Sequence, residues 1–448
     1  MKIILKQENP MRTLLPAQKE ADGPCRPFTF CLTVPVEQGL LLHNFLTKEL
    51  LLLEGEEAAA WPAPAGELRQ ELIRRWYLVP QRFDDRRLAL ELRETILAMR
   101  TVPDWLDKFT VFTTTGCNAR CFYCFEGGWE AKAMDPATAD KAADFMLARS
   151  QGHPFEIDWF GGEPLFNLAV IDRICDRLLA SGADFHSYMT TNAFLFDPDV
   201  IRRAKERWHL ELCNITVDGT EAVYNRVKNF IYPDSNAYRR VMENIRGLGE
   251  AGIKVMIRMN LDLYNLEEVY RLTDELIERF RGQENITAYP SLLIEDPDDP
   301  AAWRSDEDRR TLCAALLDLL KRLDRGGLRK PSRLSRGLHC HMCMADSGTA
   351  VTILPDGRLG LCESYLDSEL IGSLDSPDFD RAVLDSFRVL RPEIPACADC
   401  PIYPSCLRLQ KCPNQICHES LRDYKIEKVK RSMLREWNIY QEGRQKHE

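Results

Sequence analysis

The sequence predicts an α/β protein centred on a partial (β/α)6 TIM-like barrel, with a strand-and-helix block before it and a cysteine-rich block after it. Three observations carry this. Six β-type runs between residues 109 and 293 alternate with helical patterns, the order that builds a parallel sheet with right-handed crossovers. Six such units fall short of a closed eight-fold barrel. The chain, at 448 residues, is too long for one ordinary domain, and both flanks differ from the centre in pattern.

The first block, residues 1–105, opens with β-type runs at Phe28–Val36 and Leu40–Asn44, then Glu49–Leu53 after a turn at Leu46-Thr47-Lys48. A Pro- and Ala-rich break at Ala58–Pro64 leads into Gly66–Tyr77, where Leu68, Leu72, Ile73 and Trp76 recur at helical spacing. Arg87–Arg100 repeats that pattern with Leu88, Leu92, Ile96 and Leu97. Such a unit suits a recognition appendage and equally a layer packed on the next domain.

The second block, residues 106–327, carries the alternation. Its expected strands are Phe109–Thr115, Glu156–Phe160, Asp184–Thr190, Leu210–Val217, Lys254–Leu261 and Ile286–Leu293. Helical patterns lie between them, at Ala137–Ser150, Leu168–Ala180, Pro198–Trp208 and Asn236–Ala251. Residues 328–423 lack regular periodicity and hold eight of the sixteen cysteines. The charged tail, residues 424–448, reads as a surface helix.

Composition narrows the chemistry. Sixteen cysteines without the apolar core of a signal peptide point to metal or redox work in a reducing cytoplasm, so a cytoplasmic location is expected. A net charge of −10 argues against an extended nucleic-acid surface, and no apolar run is long enough to span a bilayer. Neither a nucleic acid nor a membrane is therefore expected as a partner.

The most informative motif follows the first barrel strand: Cys117, Cys121 and Cys124 in the pattern C-x3-C-x2-C. Three thiolates can hold three irons of a [4Fe–4S] cluster, which normally takes four, and so leave one iron open. Zinc is the alternative, but structural zinc closes with a fourth ligand, and no His or Cys follows until His153. The second strand ends in Gly161-Gly162-Glu163-Pro164. Glycines let a backbone approach a ligand, and the carboxylate can bind an ammonium group, although Gly-Gly is also an ordinary turn. The third strand ends Thr190-Thr191-Asn192 and the fourth Thr216-Val217-Asp218-Gly219-Thr220. The fifth carries Arg258 and Asn260 at alternate positions, hence on one face; a rim salt bridge is the other reading of Arg258.

Together these features, with Tyr123 before the third cysteine, resemble the radical S-adenosylmethionine (SAM) enzymes. The resemblance implies that Cys117, Cys121 and Cys124 hold a [4Fe–4S] cluster whose open iron binds SAM. One electron then cleaves SAM to methionine and a 5′-deoxyadenosyl radical, which removes hydrogen from the substrate. It further implies that Gly161, Gly162, Glu163, Thr191, Asn192, Asp218 and Arg258 bind the cofactor, Arg258 through the SAM carboxylate. The electron would come from an external donor of the flavodoxin or ferredoxin type.

The late cysteines run Cys340-x2-Cys343-x18-Cys362, then Cys397-x2-Cys400-x5-Cys406-x5-Cys412-x4-Cys417. Spacing alone suits two Zn(Cys)4 knuckles as well as two clusters. Behind such a core, the block resembles the SPASM extension with its two auxiliary [4Fe–4S] clusters, three clusters in all. That resemblance assigns Cys340, Cys343, Cys362 and Cys412 to one cluster and Cys397, Cys400, Cys406 and Cys417 to the other. Five residues separate Cys406 from Cys412 where the family usually has three. Glu363, directly after a ligand, is similar to the carboxylate that serves as general base in sulfatase-maturing relatives; it is equally a surface residue on a strand. Cys25, Cys31, Cys175, Cys213 and Cys313 read as fillers.

The run Asn214–Asn229 resembles maturases that cross-link ribosomally made peptides. The N-terminal block is similar in outline to their winged-helix leader-peptide recognition domains, which bind a strand at a sheet edge. The expected function is hydrogen abstraction from a precursor peptide followed by a thioether or carbon–carbon cross-link. A sulfatase-type maturase forming formylglycine is the second reading, and a non-catalytic zinc-bearing peptide-binding protein is the third.

Overall fold

The computed structural model describes residues 1–6, 15, 23–99, 104–232, 235–294, 304–335, 341–365, 367–376, 378–413 and 417–445. The N-terminal block contains β1 (Lys2–Leu5), β2 (Cys25–Pro27), β3 (Cys31–Val36), β4 (Gly39–Asn44), β5 (Leu50–Glu54) and β6 (Leu78–Pro80). Four of these strands form an antiparallel sheet in the order β1-β5-β4-β3, and β2 pairs with β6 apart from it. The leucine run of β4 and β5 is explained by burial on both faces. Leu41, Leu50 and Leu52 pack with Met433 and Trp437, whereas Leu42, Leu51 and Leu53 pack with Leu72, Ile73 and Tyr77. Alternate side chains point to opposite faces, so a sheet covered on both sides needs apolar residues at every position.

Two expectations in this block change. The run Phe28–Val36 is not one strand, because the backbone over 28–29 is bonded elsewhere: Phe28 N donates to Tyr77 O (3.0 Å) and Thr29 N to Asp85 Oδ2 (2.9 Å). The helix expected to reach Tyr77 stops at Arg74, since Trp76 takes a left-handed φ of 65°. The helix Asp85–Ala98 starts where Asp84 caps it, accepting from Arg87 N at 2.9 Å.

The centre is a sheet of β7 (Lys108–Thr114), β8 (Phe155–Gly161), β9 (Phe185–Thr191), β10 (Leu210–Thr216), β11 (Lys254–Leu261) and β12 (Ile286–Leu292). All five neighbouring pairs are parallel and in chain order, the partial barrel the alternation predicts. Helix boundaries follow their caps. Asp135 before Pro136 accepts from Thr138 N, and Asp197 before Pro198 accepts from Val200 N. Helices Glu221–Lys228, Leu266–Phe280 and Asp306–Arg325 complete the layer outside the sheet.

The cysteine-rich block supplies three further strands, β13 (Ala350–Ile353), β14 (Arg358–Gly360) and β15 (Gly372–Ser373). They extend the central sheet to β12-β11-β10-β9-β8-β7-β13-β14-β15, with β13 parallel to β7. Runs of two to four residues carry too little periodicity to be read from sequence. The tail helix begins earlier than expected, at Glu419, and runs to Gln445. One side of it is buried against the N-terminal sheet, where Glu436 accepts both Arg333 Nε (2.5 Å) and Arg333 Nη2 (2.7 Å).

Candidate active site

Three strand ends converge. Beyond β7, Thr114 Oγ1 accepts from Gly116 N (2.9 Å) and Thr115 N donates to Lys132 O (2.9 Å), which folds residues 115–132 back over the strand. That loop carries Cys117, Cys121 and Cys124; Cys117 and Cys121 are half-buried and Cys124 is exposed. Cys117 feels the charges of both other thiols, and its burial pushes it up to about 12. Unloaded, it is therefore a thiol, and a metal must displace its proton. Among the described residues no three His, Cys, Asp or Glu side chains close on a point that one ion could fill. Thiolates that each hold a separate iron of a cluster need no such point.

Gly161 and Gly162, at the end of β8, lie against this loop. A Cβ on Gly161 would stand 2.1 Å from Thr114 O, and one on Gly162 would stand 2.5 Å from Gly116 O. Glu163 is fully buried; its N donates to Gly116 O (3.0 Å). Its carboxylate accepts from Thr191 Oγ1 (2.8 Å), Asn192 N (2.8 Å) and Leu165 N (3.2 Å). Asn192 in turn donates to Asn118 Oδ1 at 2.7 Å, with its Nδ2 3.9 Å from Cys117 Sγ. The structure thus brings Gly161, Gly162, Glu163, Thr191 and Asn192 together beside the cysteine loop.

Burial pushes the Glu163 carboxyl up from its ordinary 4.5 to about 7, against the pull of the bonds from Asn192, Thr191 and Leu165. Between those values the folded chain keeps a proton that the unfolded chain has released. The stability this group contributes is complete below the window and falls as pH rises through it, by on the order of 3 kcal/mol. Glu163→Gln should flatten that stretch of the pH–stability curve of the unloaded chain, as urea unfolding between pH 4.5 and 7 would show. An unchanged slope would refute the assignment.

Asp218 is also fully buried, and one of its oxygens is already engaged. Oδ2 accepts from the Tyr123 hydroxyl and lies 2.9 Å from Lys228 Nζ, while Lys228 Nζ donates to the Tyr123 hydroxyl oxygen at 2.9 Å. Oδ1 has no partner. The sequence reading missed Lys228, which looks like an ordinary exposed lysine at the end of a helix. It also missed Glu126, two residues past Cys124, whose carboxyl burial raises to about 8 and whose Oε2 has no partner.

Arg258 and Asn260 share a face of β11, as alternation required. No carboxylate pairs with Arg258 among the described residues, and its Nε is buried without a partner. A cradle that a Cβ would fill, three neighbouring thiols and unpartnered polar atoms on Asp218, Glu126, Arg258 and Asn260 fit a cluster with a polar ligand beside it.

Residues 111–276 match the family model described as the Radical SAM superfamily. The chain carries a radical SAM domain. With that domain it is an enzyme, and the non-catalytic reading is set aside. A radical SAM domain binds one [4Fe–4S] cluster and SAM. An uncharacterized protein of Methanocaldococcus jannaschii is 27% identical over 148 residues, 32% of this chain; the match spans about half of that relative, 48% of its length. The structure resembles anSMEcpe with bound AdoMet and the Kp18Cys peptide (TM-score 0.54, 14% identity, 75% of this chain, 99% of that one). It also resembles SuiB of Streptococcus suis bound to its precursor peptide SuiA (TM-score 0.52, 13% identity, 89% of this chain, 99% of that one). These likenesses establish the fold around the radical SAM domain.

The late cysteines fall into two groups. Cys343, with Cys412 and Glu363 among the charges acting on it, lies near Cys362. Cys400 and Cys417 each feel Cys397 and Cys406. Cys412 and Cys417 therefore part between the groups despite their nearness in sequence. Cys340 lies outside the described residues. Glu363 is half-buried, and its charge raises the Cys362 and Cys343 thiols after burial has done so. Of the remaining cysteines, Cys175, Cys213 and Cys313 are buried, as fillers should be, and Cys25 and Cys31 are half-buried. Among the described residues no helix is long and apolar enough to cross a membrane.

Proposed function

We propose that this chain is a peptide maturase, removing hydrogen from a ribosomally made precursor and installing a thioether or carbon–carbon cross-link. The observation that carries this reading is the packing of the N-terminal block on a cysteine group. Phe28, Phe30, Phe45, Leu46 and Trp76 share one apolar cluster with Tyr403 and Leu407, against which Cys397 and Cys400 lie. A block of this winged-helix-like role over residues 1–105 would hold a leader while the barrel, residues 106–327, receives the segment to be modified. The peptides bound to anSMEcpe and SuiB support a peptide partner. In this reading residues 328–423 hold two auxiliary clusters, on Cys340, Cys343, Cys362 and Cys412 and on Cys397, Cys400, Cys406 and Cys417, and the reducing electron comes from a flavodoxin or ferredoxin in the cytoplasm.

When bound, the cluster and SAM supply a 5′-deoxyadenosyl radical that takes hydrogen from the substrate. The chain's own groups do the rest. Cys117, Cys121 and Cys124 would ligate the iron, and the Gly161-Gly162 backbone leaves room for a ligand to lie against it. Glu163, oriented by Thr191 and Asn192, meets an ammonium group, and Arg258 meets a carboxylate. Asp218, held in place by Tyr123 and Lys228, would offer its unpartnered Oδ1 to the cofactor.

Glu363, beside Cys362, would act as the base on the substrate side chain. Glu363→Gln should leave SAM cleavage intact while lowering modified peptide about 10²–10⁴-fold. The test of the whole reading is anaerobic incubation with SAM, a reductant and any small peptide found encoded beside the gene. A product lighter by two hydrogens, with no aldehyde trapped by a hydrazide, is the expected result; no mass change refutes it. The likeness to anSMEcpe favours one second reading, formylglycine formation, which takes the same two hydrogens from a serine, or exchanges a cysteine's sulfur for oxygen as well, and leaves an aldehyde that the hydrazide captures.

A further inference from the structure

The turn between β4 and β5 holds a cation that no described residue of the N-terminal block neutralises. Asn44 organises this turn: its Oδ1 accepts from Leu46 N (2.8 Å) and Thr47 N (3.0 Å), and its Nδ2 donates to Trp76 O (2.7 Å). Lys48 closes it, donating its N to Asn44 O (2.8 Å) with a left-handed φ of 58° that side-chain-bearing residues seldom adopt. The lysine is only 4% exposed. Its Nζ donates to Ser405 Oγ at 2.9 Å and lies 5.9 Å from the Phe45 ring.

No carboxylate pairs with Lys48 among the described residues. Glu49, the next residue, pairs with Arg75 at 2.9 Å instead. Burial alone draws the Lys48 ammonium down to about 8, and the neighbouring His43 is held neutral by its own burial and by the lysine's charge. A buried ammonium without a counter-charge is expensive, and a side chain long enough to snorkel to water has not done so.

Through Ser405, Lys48 Nζ points out of the N-terminal block into the cysteine-rich one. Ser405 directly precedes Cys406, which lies with Cys397, Cys400 and Cys417. A [4Fe–4S] core held by four thiolates is a dianion when oxidised and gains a further charge on reduction. We propose that Lys48 is the counter-cation of the group held by Cys397, Cys400, Cys406 and Cys417, reaching it from the N-terminal block and raising its reduction potential. This rests on the reading of those cysteines as auxiliary-cluster ligands. Lys48 is a positioning and tuning residue, since its ammonium bonds to Ser405, the neighbour of a ligand, rather than being a ligand itself.

The experiment is a redox titration of the full chain followed by electron paramagnetic resonance, with Cys400→Ala marking the signal of this cluster by its loss. Lys48→Met and Lys48→Gln should move that signal to a more negative potential and leave the Cys117, Cys121 and Cys124 signal in place. Lys48→Arg should restore it. Two neutral replacements guard against the misfolding of one. Iron and sulfide assays separate the two levels. A protein that carries a single cluster overturns the auxiliary reading and this inference with it. A protein that carries three, but whose potentials ignore Lys48→Met and Lys48→Gln, overturns the inference alone.

Discussion

Gly161→Ala is expected to abolish SAM cleavage and to destabilise the chain by about 3 kcal/mol or more. Two effects add at this position. The backbone has φ +122°, a region open essentially to glycine, and the new Cβ would stand 2.1 Å from Thr114 O, where only backbone could give way. That carbonyl is not free to move. It accepts from Gly162 N at 3.1 Å, and the Thr114 hydroxyl holds Gly116 N, one residue before Cys117. Relieving the clash therefore displaces the loop that presents the cysteines. Gly128→Ala is the matched control: φ is +92° there too, but no atom lies within 4 Å of the added Cβ. It should cost about 1 kcal/mol and spare the site. Urea midpoints, iron content and release of 5′-deoxyadenosine measure all three claims. A Gly161→Ala protein with half the normal turnover would overturn the first.

Lys228→Met is expected to cost about 3–5 kcal/mol, because it leaves the Asp218 carboxylate buried beside Tyr123 without its cation. Both partners are nearly inaccessible, at 0% for Asp218 and 3% for Lys228, so water cannot take the place of the missing charge. Asp218→Asn combined with Lys228→Met should recover most of the loss, since it removes both halves of a buried pair. Backbone contacts between the segments remain in every variant: Arg120 N donates to Lys228 O (2.8 Å) and Ile231 N to Asn118 O (2.9 Å). The cysteine loop should thus keep its course while losing stability. Denaturant unfolding of the single and double variants decides the point, and a Lys228→Met loss below about 1 kcal/mol would refute the buried-pair argument.

The same triad shows where sequence reasoning reached its end. The six barrel strands stood out because each carries apolar or β-branched residues, in a run or at alternate positions, and each was placed within a residue or two. The glycine pair and the cysteine loop were legible as motifs for a similar reason, since their chemistry needs fixed local spacing. Lys228 was not legible, because its partners Tyr123 and Asp218 lie on other segments, Tyr123 being 105 positions away. Nothing near Lys228 in the chain marks it as buried. The split of Phe28–Val36 was hidden likewise, since Tyr77 and Asp85 supply the competing hydrogen bonds. Long-range pairing decided these cases, and local pattern cannot report it.

The place of β13 has a consequence for how the chain is made. One edge of β7, the strand that leads into the cysteine loop, pairs with β8, and the other pairs with Ala350–Ile353. Thr110 and Met344, in contact across that junction, are 234 positions apart. During synthesis the barrel can assemble as its units emerge, but β7 must wait with one side bare until the cysteine-rich block leaves the ribosome. A bare strand edge is a template for pairing with another chain. Nascent or truncated forms ending before Ala350 should therefore depend on chaperones and tend to aggregate, even though every strand of the partial barrel is already present in them.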